Sequence, residues 1–192
     1  METPVAQKRP AAKPATDIGS IAWGWWNALN PRTTQDGGWI KGDRAALARL
    51  RRSNLEAAAV EPATIVLFES LKKKHVEDLG RVAALAGVLA CVRENTKGPV
   101  ARAIGPDAEG GALLSPLRMR RLLAAKGDDA ILTAFRRLVA QMDGKANVGD
   151  LARNLLLWDR GETGDKQRMR FAFDYYRTGS VDAAPPLPQT TE

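Results

Sequence analysis

The residues that carry most enzyme chemistry are scarce in this sequence. One histidine, His75, and one cysteine, Cys91, in 192 residues leave nothing from which to build a zinc site or a Cys–His pair. A lone cysteine also excludes an internal disulfide framework and suits a reducing cytoplasm. Cys91 lies in an apolar helical stretch and reads as core packing. His75 follows the Lys72–Lys74 run and reads as a plain surface residue. No D-x-D or H-E-x-x-H spacing occurs, and the glycine-bearing stretch 96–111 lacks the Gly-Lys-Ser/Thr ending of a P-loop. The expectation is a protein with no catalytic residues, no metal and no cofactor. Long apolar runs are missing too. Val82–Val92, 11 residues, is the longest, against roughly 20 needed to span a bilayer. No apolar stretch follows Lys8, Arg9 and Pro10, so neither a secretory leader nor a membrane span is expected and the location should be cytoplasmic. β-branched runs and two-residue alternation are likewise absent, which argues against strands.

What remains is helical and basic. Hydrophobic residues make up 44% of the chain, enough for a packed core, and the formal charge is +7. The pI near 9.9 points to a polyanionic partner. The predicted fold class is all-α, two small helical bundles joined by a loop that contains glycine and proline. Residues 1–16, rich in Pro, Ala and Lys, read as a disordered basic arm, and 179–192 as a disordered Pro-rich tail. The N-terminal bundle is expected over 17–95, the linker over 96–111 and the C-terminal bundle over 112–178. In the first bundle, Asp17 opens a tryptophan-rich helix and Asp43 caps a second, with Ala46, Leu47, Leu50 and Asn54 on its inner face. Pro62 starts a third, with Ile65, Phe68, Leu71 and Leu79 predicted buried. Trp23, Trp25 and Trp26 read as core anchors, with base stacking the functional alternative for one of them.

The strongest chemical clue is the stretch Leu114–Met142. Ser115 and Pro116 form an N-cap and first helical position. Lys126 and Gly127 close that helix, and Asp128 or Asp129 can cap the next. Leu114, Leu117, Leu122 and Leu123 make an apolar side, while Arg118 and Arg121, three apart, share a face. No acidic residue falls between Ser115 and Lys126, so these arginines lack local partners. Ile131, Phe135, Leu138 and Met142 follow helical spacing in the second helix, with Arg136 and Arg137 on its flank. Guanidinium forks suit phosphate oxygens, and such contacts hold nucleic acid without reading its sequence. A helical scaffold whose arginines bind acidic protein faces is the competing reading.

Taken in order, WGWWNAL, GDRAALARLRR, PVARAIG, LSPLRMRRLLAAKGDD, AFRRLVAQM, and LARNLLLWD ahead of RMRFAFDYY resemble the CasB family. This is the small subunit of the type I-E CRISPR Cascade surveillance complex. The resemblance spans about residues 20–177, apart from the loop between Trp26 and Trp39. It implies an all-helical, non-catalytic subunit in antiviral defence. Its partners would be guide RNA, target and displaced DNA strands, the backbone and large subunits, and a second copy head to tail. It also implies basic contacts that stabilise the R-loop. These fall on Arg51, Arg52, Arg102, Arg118, Arg121, Arg136 and Arg137, with Arg44 and Arg120 added from charge alone.

Overall fold

The computed structural model describes residues 17–33, 36–107 and 111–177, and the two terminal arms expected to be disordered lie outside them. Helix α1 (Ile18–Leu29) buries Ala22, Trp25 and Trp26 at helical spacing. The indole N–H of Trp25 donates to the carbonyl of Ala63 at 2.7 Å, and that of Trp26 to Val92 at 3.0 Å. Trp23 stays 45% exposed, so only two of the three tryptophans are anchors. A short antiparallel ribbon, β1 (Arg32–Thr33) with β2 (Trp39–Ile40), turns the chain into α2 (Arg44–Arg52). Asp43 caps α2, accepting from the Ala46 N–H at 2.8 Å. Asn54 does not line the inner face. It caps α3 (Leu55–Ala59) instead, the better use of a short polar side chain. In α4 (Pro62–Lys72) the buried stripe is Thr64, Leu67 and Leu71. Ile65 lies outside that stripe and Leu79 at the start of the next helix, so both are exposed rather than buried, while Phe68 is half-buried.

Helix α5 (Leu79–Leu89) is the centre of the molecule: every residue from Arg81 to Leu89 is buried. The chain continues through β3 (Glu94–Asn95), α6 (Val100–Ile104), α7 (Pro116–Leu123) and α8 (Asp128–Gln141). It ends with β4 (Lys145–Ala146), α9 (Val148–Leu157) and α10 (Gly161–Arg177). The segment 96–111, read as loop, thus contains a helix. Asp150 starts it by accepting from the Val100 N–H at 2.7 Å, and Val100, Ala101 and Ile104 are buried. α5 packs against α3 and α4 on one side and α8 and α9 on the other, while α1 lies along α9. Strands β3 and β4 pair in parallel. The buried apolar cluster runs from Ala22 to Tyr175. Trp158 is wedged edge-on between Phe135 and Phe171, at ring distances of 4.9 and 5.2 Å. Among the described residues, no helix is long and apolar enough to cross a membrane, and no three His, Cys, Asp or Glu residues group as a metal site.

One charge is buried with this core. Arg81 is 5% exposed; its Nε donates to Asp128 Oδ1 at 2.7 Å and its Nη1 to the Leu155 carbonyl at 3.1 Å. Asp128 is therefore not the cap of α8. That position belongs to Gly127, at φ +74°, and the carboxylate serves as counter-ion to Arg81. A buried cation without a partner costs several kcal/mol, which explains the reassignment. Asp128→Ala should destabilise the protein by about 3 kcal/mol, because it strands the guanidinium. The double replacement Arg81→Met/Asp128→Leu should be less destabilising, and urea unfolding of the two variants measures the difference.

Candidate nucleic-acid interface

The first turn of α7 is organised as the sequence suggests, with Pro116 at its start and Ser115 accepting from the Arg118 N–H at 3.5 Å. The helix buries Met119 and Leu122, three apart, and that choice decides the rest. Leu117, assigned to the apolar side, is 51% exposed, and Met119 takes the inner place. Arg118 and Arg121 fall on the face next to the buried stripe and look across at α8. There Thr133, Arg137 and Gln141, four apart, line the opposite wall. Between the two helices is a groove of about 630 Å³ floored by Leu114, Leu122, Ala125 and Leu138. Arg118, Arg121 and Arg137 converge on it, and Asp129 is the one carboxylate among its lining residues. Within the described residues no side-chain hydrogen bond or ion pair engages these three guanidiniums. In a groove walled by apolar atoms, three such cations set up a focused positive potential.

The other predicted arginines lie elsewhere. Arg136 points to the opposite side of α8, where it is half-buried and fully engaged. Its Nη1 donates to Ser53 O at 2.8 Å, its Nη2 to Leu50 O at 2.5 Å and its Nε to Gly87 O at 3.3 Å. It thereby satisfies carbonyls at the end of α2 that have no partner within the helix. Glycine at position 87 makes room for this approach, since a Cβ there would stand 2.8 Å from Arg136 Nη2 and displace it. Arg51 acts similarly, its Nε donating to Ala90 O at the end of α5. Arg52 faces a separate cavity of about 400 Å³ between α2 and α3, beside the Arg49–Glu61 ion pair. Arg102, on α6, is paired with Asp174 of α10 at 3.2 Å. Arg120 is exposed away from the groove lining, and Arg44 is exposed at the start of α2. Arg51 and Arg136 meet at the α2 corner, the others are dispersed, and Arg118, Arg121 and Arg137 come together on the groove.

Sequence reasoning misses Arg93, which follows a helix end with no pattern around it. Its side chain lies against Gly144 at the turn after α8, within electrostatic reach of the Cys91 thiol. Burial holds that thiol above its ordinary value, outweighing the opposite pull of Arg136, Arg51 and Arg93, so it stays protonated and inert. Asp150, which starts α6 and so places Arg102, is likewise pushed up by burial, against the pull of the Val100 N–H.

A family profile for the CRISPR-associated protein Cse2 matches residues 46–176, from the first turn of α2 to the end of α10. The match covers the α7–α8 groove and leaves out Arg44 and α1. No curated protein and no solved structure matches the chain.

Two outcomes test this division of labour. Arg136→Ala should cost about 2–3 kcal/mol by leaving helix-end carbonyls unpaired, whereas Arg137→Ala should stay within about 0.5 kcal/mol of the parent in thermal unfolding. A carboxyl whose folded pKa lies above its ordinary 3.8 weakens the fold as pH rises from 3.8 through the folded value. Asp150→Asn, which keeps an acceptor for the Val100 N–H, should therefore be neutral or stabilising at pH 7 and remove that part of the pH dependence. Asp150→Ala should destabilise by about 1–2 kcal/mol at every pH.

Proposed function

Because the chain belongs to the Cse2 family, and so is a small subunit of a CRISPR Cascade complex, we propose that it holds nucleic-acid backbone in the α7–α8 groove and so stabilises the R-loop. The carrying observation is the convergence of Arg118, Arg121 and Arg137, none engaged by a described side chain, on a groove lined by a single carboxylate. Guanidinium forks without internal partners match phosphate oxygens in charge and geometry, and they ask nothing of the base sequence. A guide-directed complex needs that indifference, because base pairing with the guide does the reading. R-loop formation is nearly balanced energetically, so a few backbone contacts to the displaced strand shift it. In this role the subunit performs no covalent chemistry. Arg52 at the end of α2 and Arg93 beside the turn after α8 extend the basic surface, and a head-to-tail second copy would lengthen the track. The apolar groove floor, Leu114, Leu122 and Leu138, favours one competing occupant, an acidic amphipathic helix of a neighbouring subunit.

The test is target-DNA binding by the guide-loaded complex carrying Arg118→Glu/Arg121→Glu. Affinity and protection of the displaced strand should both fall while thermal stability holds. For every phosphate that the variant no longer neutralises, the slope of log K against log salt should flatten by roughly 0.7–0.9 units. Unchanged binding by the folded double variant would overturn the backbone-holding role. Unrelated single-stranded DNA should displace the chain's nucleic acid, and its failure to compete would favour the protein-helix occupant.

A further inference from the structure

Of the two tryptophans that packing leaves exposed, Trp23 and Trp39, the first has surroundings of its own. Trp23 is 45% exposed on α1, outside the stripe that Ala22, Trp25 and Trp26 bury. It borders a cavity of about 640 Å³ between α1, the turn 95–98 and the start of α9, within the usual range of about 300–1,000 Å³ for small-molecule sites. Along one side α1 and α9 approach closely at Gly19 and Gly149, where a Cβ on Gly149 would stand 3.3 Å from Gly19 O. Beside the indole is Gly24, where a Cβ would meet nothing within 4 Å, so the approach to the ring is open. Two cations, Lys97 and Arg153, line the cavity, and none of its lining residues is a carboxylate. Arg153 is partly neutralised by Asp17, with its Nε 3.0 Å from Oδ2. Lys97 is exposed and makes no ion pair among the described residues. The rim is rigid: Asn147 donates to Gly98 O at 2.9 Å and accepts from the Asp150 N–H at 2.9 Å.

We propose that this cavity is a second nucleic-acid contact that takes one unpaired nucleotide, with its base stacked on Trp23 and its phosphate on Lys97. An exposed indole beside a cation and without carboxylates is the arrangement that binds single strands by stacking plus charge. Stacking on an indole is tolerant of base identity, because every base has a π-face, so the site is expected to accept any base. The site is distinct from the arginine groove, and Trp23 lies outside the family-matched residues 46–176. The inference rests on the reading that this chain works on nucleic acid, but its test separates the two.

The full chain would be titrated against a labelled dT oligomer of about 15 nucleotides, within the usual single-strand site sizes, and an abasic oligomer of equal length and charge. Trp23→Ala should weaken binding of the dT oligomer about fivefold or more and leave the abasic oligomer unaffected. Trp23→Phe should retain most of the affinity, Lys97→Glu should weaken both oligomers, and dA should bind about as well as dT. Arg118→Glu/Arg121→Glu should weaken both oligomers equally, so an unaffected double variant would sink the groove reading while leaving the Trp23 comparison intact. Photocrosslinking of a 5-bromodeoxyuridine oligomer should map to the peptide containing Trp23. Equal binding of dT by Trp23→Ala and the parent, equal weakening on dT and abasic oligomers, or a crosslink elsewhere would overturn the proposal.

Discussion

Burial of α5 on all sides is the constraint from which the remaining architecture follows. A helix with no face toward water cannot be covered by one neighbour, and here α3 and α4 cover one side while α8 and α9 cover the other. Small residues make this possible: Ala83, Ala84, Ala86 and Gly87 let neighbouring backbones come close. The helix also has one charged residue inside, and Arg81 binds it to Asp128 at the start of α8 and to Leu155 near the end of α9. Elements far apart in sequence are thereby placed with the directional geometry of a guanidinium, which apolar packing alone does not supply.

The same residue type thus does two opposite jobs. Arg81 and Arg136 turn inward and donate to carbonyls or to a carboxylate, which commits them to the fold, while Arg51 gives its Nε to Ala90 O and stays exposed. Arg118, Arg121 and Arg137 have no such acceptors among the described residues, and the hydration they keep is what a phosphate can replace. Arg136 and Arg137 make the distinction sharply. They are neighbours in the chain, but a helix turns each residue about 100° from the last, so one faces the end of α2 and the other the groove. Net charge could not separate these populations, because it counts every arginine alike.

Membership in the Cse2 family assigns the chain to a complex in which sequence is read by base pairing. A subunit of such a machine gains from contacts that are strong, charge-based and blind to sequence. In the proposed role the α7–α8 groove would supply such contacts through its guanidiniums, and the Trp23 cavity through an aromatic face beside a cation. The two sites would hold different parts of a strand, backbone in one and an unpaired base in the other.

Much was legible in the sequence because local physics decides it. The all-helical character, the caps at Asp43 and Ser115, the proline starts at Pro62 and Pro116, and the apolar centre over Val82–Val92 all depend on residues a few positions apart. The family resemblance was legible for the same reason, in the order of short motifs. Other features depended on partners distant in sequence, and only the tertiary structure decided them. Asp128 reads locally as a cap, but Arg81, 47 residues away, claims its carboxylate. The segment 96–111 reads as loop, but an acceptor at Asp150 makes part of it a helix. Leu117 and Ile65 read as core, but a helix buries one stripe, and the neighbours choose which. The arginine count and its imbalance belonged to the sequence. Which guanidiniums stayed free, and where three of them meet, depended on carbonyls and carboxylates that only folding brings within reach.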